Sequence, residues 1–192
     1  MNMPADQTSE ADREALIKLA RQALHVAVCG EILPELDYTQ LSDHLKEFGA
    51  TFVTLTKNGE LRGCIGILEA NKPLADDVCQ HAVAAALEDY RFPPVQPDEL
   101  DQIKIEISRL TQPVDLNYVD SDDLLRKLRP GVHGVILRDG WNRATFLPQV
   151  WEKLPDPAEF LSHLCYKMGA SPQLWRQKKL DVKVYTVEEF RE

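Results

Sequence analysis

One cysteine lies in the segment whose residue types are best suited to chemistry. Cys64 belongs to the run Leu61-Arg-Gly-Cys-Ile-Gly66. Alternation along a strand would place Arg62 on the same face as Cys64, and a neighbouring cation favours the thiolate, the nucleophilic form of cysteine. Glycine carries no side chain, so another backbone or a ligand can approach the sulfur. Cys64 is therefore a candidate nucleophile, and the candidate ligand-binding residues beside it are Arg62, Gly63 and Gly66.

A packing role for the same cysteine stays open. A free cysteine is most often a small buried residue, and Arg62 would then pair with a surface carboxylate. The other cysteines fall at or beside apolar helical stripes and are expected to pack; they are Cys29, Cys79 and Cys165. Because no C-x-x-C pair is present and the thiols are far apart in sequence, all four are expected to be reduced.

Three further candidates come from two other segments. Asp89 and Arg91 follow an alanine-rich helical segment and would lie near its C-terminal end. There Arg91 would complement the helix dipole and bind free carbonyls; the alternative is a fixed cation for an anionic substrate, oriented by Asp89. His133 lies in a glycine-containing stretch and could act as base to a nearby thiol, although a surface or capping role is the simpler interpretation. The catalytic candidates are thus Cys64, His133 and Asp89.

The motifs around these candidates resemble those of the AMMECR-domain family, whose bacterial members are called AmmeMemoRadiSam system protein A. The hallmark of that family is the Leu-Arg-Gly-Cys-Ile-Gly stretch, which 61–66 matches at every position. The further matches are Glu88-Asp89 with Arg91-Phe92-Pro93-Pro94, Gly131-Val132-His133-Gly134 and Phe146-Leu147-Pro148-Gln149-Val150. The chain departs from the pattern at Ile67, where threonine often follows, and at Tyr90, where bacterial relatives often have proline. The resemblance covers residues 11–190.

What the resemblance implies is an α+β fold with a larger and a smaller subdomain packed together. Genes of the family often accompany those for a Memo-type protein and a radical-SAM protein, which implies a shared pathway with both partners. The resemblance does not imply a particular reaction. Two hypotheses follow. The first is an adaptor or accessory component that docks through the glycine-bearing hairpin and the Phe92-Pro93-Pro94 loop. The second is a thiol-dependent enzyme that uses Cys64 in a cleft with Arg62, Arg91 and His133.

Hydrophobic periodicity predicts the elements that position these residues. The predicted helices cover 9–29, 71–87, 120–128 and 157–168, and the predicted strands cover 51–56, 61–68, 103–108, 133–138, 144–147 and 182–187. Asn58-Gly59 predicts a type I′ turn between the first two strands. Hairpins without strict strand–helix alternation favour an α+β fold with a largely antiparallel sheet. We expect one domain at 9–190, or two packed subdomains, after a flexible N-terminus at 1–8.

Composition and charge disfavour several functional classes. The chain has 192 residues, of which 44% are hydrophobic and 28% charged, as in ordinary soluble domains. Its formal net charge of −9 opposes generic binding to nucleic acid or to an anionic membrane. Residues 1–13 contain no apolar run, so we expect no signal peptide or membrane span and a cytoplasmic location. No phosphate-binding glycine motif or clustered set of metal ligands is apparent, so neither cofactor nor metal is expected unless ligands converge from distant segments.

Overall fold

The computed structural model describes residues 7–192, and contacts within it divide the chain into two compact units. The first unit extends to Thr111 and includes Glu188–Glu192, whereas the second comprises Gln112–Val187. A flexible N-terminus was predicted at residues 1–8, of which 1–6 lie outside the described residues. Thr8 is buried, and its hydroxyl donates a 2.6 Å hydrogen bond to a carboxylate oxygen of Glu188. Residue 8 is therefore a packed part of the first unit.

Helices and strands alternate irregularly along the chain. The helices are α1 (Glu10–Val28), α2 (Asp43–Lys46), α3 (Leu74–Leu87), α4 (Ser121–Lys127), α5 (Pro157–Lys167) and α6 (Leu174–Gln177). The strands are β1 (Phe48–Lys57), β2 (Glu60–Gly66), β3 (Lys72–Pro73), β4 (Ile103–Leu110), β5 (Val114–Asp115), β6 (Gly134–Asp139), β7 (Asn142–Phe146), β8 (Asp181–Tyr185) and β9 (Val187–Arg191). The strands pair mainly antiparallel. The predicted α+β class is confirmed.

The first unit is built on a sheet in which β2 forms an outer edge. The strand order is β2-β1-β4-β9, with β3 paired to the opposite end of β1. One face of this sheet carries buried aliphatic side chains that pack against α1 and α3, among them Val53, Leu55 and Ile105. Ser9 caps α1 by accepting a hydrogen bond from the backbone of Asp12, as its position before an apolar periodic segment predicts.

The β1–β2 hairpin turns as the sequence predicts but contains a bulge. Asn58 and Gly59 have φ angles of 55° and 82°, which a type I′ turn requires. The pairing register shifts between Leu55 and Thr56, so that Arg62 is the extra residue. Without that shift Thr54 would face residue 63; with it, Thr54 faces residue 64. The bulge therefore decides which β1 side chain lies beside the candidate nucleophile.

The second unit packs its helices on a second antiparallel sheet, of strand order β5-β8-β6-β7. Its core includes Trp151 stacked on Phe160, with ring centroids 3.7 Å apart. The predicted hairpin between 133 and 147 is confirmed as β6–β7. The predicted strand over 182–187 is confirmed for 182–185, which belong to β8 and pair with β6. It is not the last strand, because Val187 begins β9, which joins the first sheet beside β4. Within residues 7–192 no helix has the length and apolar character that a membrane span requires.

Candidate functional site

Cys64 lies in β2 on the sheet face turned away from α1 and α3. Its neighbour Gly63 pairs with Leu55, whose side chain belongs to the core, so alternation sends the Cys64 side chain to the other face. The thiol is half-buried, and the hydroxyl of Thr54 donates to its sulfur at 3.2 Å. The side chain that donates this hydrogen bond is therefore a neutral hydroxyl.

The backbone of Cys64 is held by side chains from the segment that follows α3. At the free edge of β2, the Cys64 N–H donates to Oδ2 of Asp89 at 2.9 Å, and its carbonyl accepts from Nη2 of Arg91 at 3.1 Å. These are the two groups that a neighbouring strand would satisfy. Asp89 and Arg91 also bind each other, with Arg91 Nε donating to Oδ1 of Asp89 at 2.8 Å. The pair therefore substitutes for a missing strand and closes the sheet edge at Cys64.

Charge pairing keeps Asp89 ionised. The carboxylate is only 4% exposed, and hydrogen bonds from the Arg91 guanidinium, assisted by the Cys64 N–H, hold the pKa of Asp89 well below its usual range. The same pairing raises the pKa of Arg91. Arg91 was predicted to bind free carbonyls of the preceding helix or a substrate anion. In the structure its Nε and Nη2 donate to the Asp89 carboxylate, and Nη2 also donates to the carbonyl of Cys64 in β2. Asp89 is thus suited to accepting hydrogen bonds and poorly suited to giving a proton at neutral pH.

Arg62 is bonded to a carboxylate that sequence reasoning missed. Its Nε and Nη2 donate to the two carboxylate oxygens of Glu99 at 3.0 and 2.9 Å, and its Nη1 donates to the carbonyl of Pro93 at 2.9 Å. Glu99 lies in the 3₁₀ turn Pro97–Gln102 and also accepts from Lys57. A bidentate arginine–carboxylate pair is strong and directional. The expected role of Arg62 as activator of the thiol therefore has no support in its contacts, because the guanidinium is neutralised by Glu99.

The pairing of Glu99 with Arg62 and Lys57 predicts that the stability of the protein falls at acidic pH. Hydrogen bonds from Arg62 lower the pKa of Glu99 from 4.5 to about 2. A carboxyl group whose folded pKa is depressed contributes stability above its unfolded pKa and loses that contribution as the pH falls through the folded value. Urea midpoints should therefore show Glu99→Gln less stable than the unsubstituted protein by roughly 1–2 kcal/mol at pH 6, with the difference shrinking between pH 4.5 and 2. Exposed Glu60→Gln is the control; a difference independent of pH would contradict the expectation.

The two glycines that flank Cys64 make room for protein backbone. A Cβ placed on Gly63 would lie 2.0 Å from the carbonyl oxygen of Ala85 in α3. One placed on Gly66 would lie 2.4 Å from the carbonyl oxygen of Thr51. The sequence left open whether a backbone or a ligand approaches here, and at both positions a backbone does. Gly63 and Gly66 are therefore packing residues in this structure, and at Gly63 the alanine-rich helix packs very closely on the sheet.

His133 belongs to the second unit, where its imidazole contacts Arg129 of its own turn and its carbonyl accepts from Nε1 of Trp151 at 2.6 Å. Both ring nitrogens face donors of Arg129, the backbone N–H at 3.2 Å from Nδ1 and Nε at 3.0 Å from Nε2. A neutral imidazole accepts through one nitrogen only, so one of these contacts is a hydrogen bond at a time. Burial, with the Arg129 charge, lowers the pKa of His133. The structure thus brings Cys64, Asp89 and Arg91 together in the first unit, while a role for His133 as base stays a prediction.

Two residues of the site were absent from the sequence interpretation. Glu99 could have been noticed, because its carboxylate accepts the backbone N–H of Gln96, three positions earlier, as the acidic residue of a capping box does. That pattern would fix the position of Glu99 at a turn but would not identify Arg62 as its partner. Thr54 could not have been found from hairpin register alone, because the bulge at Arg62 alters that register.

Comparison with known proteins assigns the family. The family model described as AMMECR1 matches residues 17–190. A protein of Methanopyrus kandleri is 40% identical over 184 residues, covering 93% of this chain and 87% of its own length. One of Methanothermobacter thermautotrophicus is 38% identical and covers 96% of both chains. The crystal structure of an uncharacterized protein from Pyrococcus horikoshii superposes with a TM-score of 0.71 at 34% identity, over 93% of this chain and 90% of its own. The chain belongs to the AMMECR1 family.

Proposed function

We propose that the protein is a non-catalytic adaptor or accessory component of a cytoplasmic pathway that it shares with a Memo-type protein and a radical-SAM protein. One observation carries the proposal. The charged groups that a thiol mechanism would need beside Cys64 are bonded to other groups of the protein: Arg62 to Glu99, and Asp89 to Arg91 and to the β2 backbone. These bonds have a structural role, because they hold the segment after α3 against the β1–β2 hairpin.

The segment after α3 and the adjoining strand β2 present exposed residues, which we call the docking face and define as Leu61, Tyr90, Arg91, Pro93 and Pro94. Tyr90 is 95% exposed and the Arg91 side chain 44% exposed, although Arg91 is anchored through Asp89 and the Cys64 carbonyl. Tyrosine and arginine are enriched among residues that dominate binding energy at protein interfaces. A surface whose residues are already ordered loses little entropy on association. The docking face therefore has the composition and the rigidity that a partner protein would use.

Co-purification with the Memo-type and radical-SAM proteins of the same organism tests the proposal. The intact protein should retain at least one of them, and Tyr90→Ala should weaken that complex by roughly tenfold or more. Tyr166→Ala is the matched control, because Tyr166 is 73% exposed and lies in α5 of the second unit. The proposal would be refuted if the intact protein bound neither partner. It would also be refuted if Tyr90→Ala bound as tightly as Tyr166→Ala and the intact protein.

A thiol-dependent enzyme is the second candidate, and one contact favours it. The Thr54 hydroxyl donates to the sulfur of Cys64, which holds the thiol in one orientation, and the partial exposure of Cys64 leaves the thiol accessible to a substrate. The two functions differ in what Cys64→Ser should do. If the protein is an adaptor, the Cys64→Ser variant should still bind its partners and still support the pathway in cells, because serine preserves the size of the side chain and the β2 backbone. If Cys64→Ser left the complex intact but abolished the pathway in cells, the thiol function would replace the adaptor.

A further inference from the structure

A second concave site lies in the second unit, apart from every residue discussed above as a candidate. It has a volume of about 580 Å³, and all its lining residues fall within Gln112–Val187. It lies on the face of the β5-β8-β6-β7 sheet opposite the core, since Arg138 alternates with buried Leu137 and Lys183 with buried Val182 and Val184. The volume is within the range of small-molecule sites.

The lining of this pocket is positively charged. Its cations are Arg138, Arg143, Lys179 and Lys183, and its acids are Asp115 and Asp181. Lys183 is paired with Asp115 at 3.1 Å. The whole of 112–187 holds 11 basic and 9 acidic side chains, whereas the rest of the sequence holds 11 basic and 22 acidic ones. In a protein of net charge −9, this unit therefore favours anions.

Two of these cations occupy opposed positions on neighbouring strands. Arg138 in β6 pairs in register with Arg143 in β7, and on its other side with Asp181 in β8. Arg138 donates through Nε to the carbonyl of Gly140 at 2.9 Å, while within residues 7–192 its terminal Nη groups make no hydrogen bond. An anion bound at Arg138 would accept hydrogen bonds from these Nη groups.

The same pocket is bordered by an exposed aromatic ring. Trp141 forms the tip of the β6–β7 hairpin, lines the pocket and is 100% exposed. The other two tryptophans, Trp151 and Trp175, are buried in the core of the unit. An uncovered indole in the same pocket as Arg138 and Lys179 offers a flat apolar surface on which a planar ring can stack.

We infer that this pocket binds a small aromatic anion. The planar ring of the ligand stacks on Trp141, and its carboxylate or phosphate group binds Arg138 and Lys179. Lys179 is suited to this role because its ammonium lies 5.5 Å above the ring of Tyr118, which lines the same pocket. Tyr118 is itself fixed by hydrogen bonds to both backbone groups of Leu180, so that wall of the pocket is preformed.

Tryptophan fluorescence of the full chain tests the inference, because Trp141 is the exposed indole. The probes are adenosine monophosphate and 4-hydroxybenzoate, each compared with a neutral counterpart, adenosine and 4-hydroxybenzyl alcohol, and with inorganic phosphate alone. We expect saturable quenching by at least one aromatic anion and roughly tenfold weaker binding of its neutral counterpart and of phosphate. Which anion binds more tightly identifies the ligand as a phosphate or a carboxylate.

Variants assign the binding to the pocket. Arg138→Ala should weaken binding by roughly tenfold, whereas Lys153→Ala, which removes an exposed cation of the same unit outside the pocket, should leave binding unchanged. Trp141→Phe should abolish the quenching and leave a weaker binding heat in calorimetry. Equal binding of neutral and anionic probes, equal binding by the two cation variants, or no saturable quenching by any probe at about 5 mM would overturn the inference.

Discussion

Gly63→Ala is expected to lower the free energy of unfolding by about 3 kcal/mol, a large part of what holds a domain folded. The new Cβ would lie 2.0 Å from the carbonyl oxygen of Ala85 and 3.0 Å from its carbonyl carbon. Both are backbone atoms of α3, so the clash cannot be relieved by rotating a side chain. Either the helix moves away from the sheet or β2 is displaced. The thermal midpoint should fall by roughly 6–12 °C.

Gly30→Ala separates this clash from the ordinary cost of replacing a glycine. Gly30 has a φ of 73° and nothing within 4 Å of an added Cβ, so alanine there meets backbone strain but no neighbour. That strain costs about 1–2 kcal/mol. Urea denaturation of both variants should therefore show the larger loss for Gly63→Ala. A smaller loss at Gly63 than at Gly30 would mean that α3 yields easily and that the close packing of helix on sheet is unimportant.

Asp89→Asn is expected to destabilise the protein by about 2 kcal/mol at pH 7, because the buried carboxylate makes hydrogen bonds to the charged Arg91 and to the Cys64 N–H. An amide of the same size keeps one acceptor but removes the charge. The pKa of Asp89 is depressed in the folded protein, so its contribution is complete above the unfolded pKa of about 4 and is lost progressively as the pH falls from there through the folded value. The difference between Asp89→Asn and the unsubstituted protein should thus persist at pH 5 and narrow below pH 4.

Urea midpoints at pH 7, 5 and 3 measure this difference, with Asp98→Asn as the control for an exposed aspartate of the same unit. Hydrogen exchange gives a local readout, since the Cys64 amide should exchange faster once its acceptor is weakened. If Asp89→Asn and Asp98→Asn behaved alike in both measurements, the pairing of Asp89 with the β2 edge would contribute nothing to stability.

Local features of the fold could be predicted because their causes are local. The Asn58-Gly59 turn, the Ser9 cap and the apolar stripe of α5 each depend on residues within one turn or one hairpin. The α+β class followed from the succession of such segments. Periodicity does not state which strand a segment joins, and this is why 182–187 was predicted as one strand although β8 and β9 belong to different sheets.

The site was only partly predictable for the same reason. Cys64, Asp89 and Arg91 were identified as candidates, and they do lie in contact. Their arrangement depends on two facts that spacing does not reveal, the bulge at Arg62 and the free edge of β2. The partner of Arg62 lies 37 positions away in the sequence. Strand alternation predicts that Arg62 lies beside the Cys64 thiol, whereas in the fold Arg62 is bonded to the carboxylate of Glu99.

The return of β9 to the first sheet has a consequence for how the chain is made. Glu188 receives hydrogen bonds from Thr8 and Arg109, and the backbone N–H of Glu192 donates to the carbonyl of Ile105. On the ribosome the whole of 112–187 emerges before these last residues do. The second unit can therefore fold while β4 still lacks its outer neighbour, and the first unit is completed only once Glu188–Glu192 have been synthesised. A nascent chain stalled before residue 188 would expose an unpaired β4 edge that a chaperone could bind.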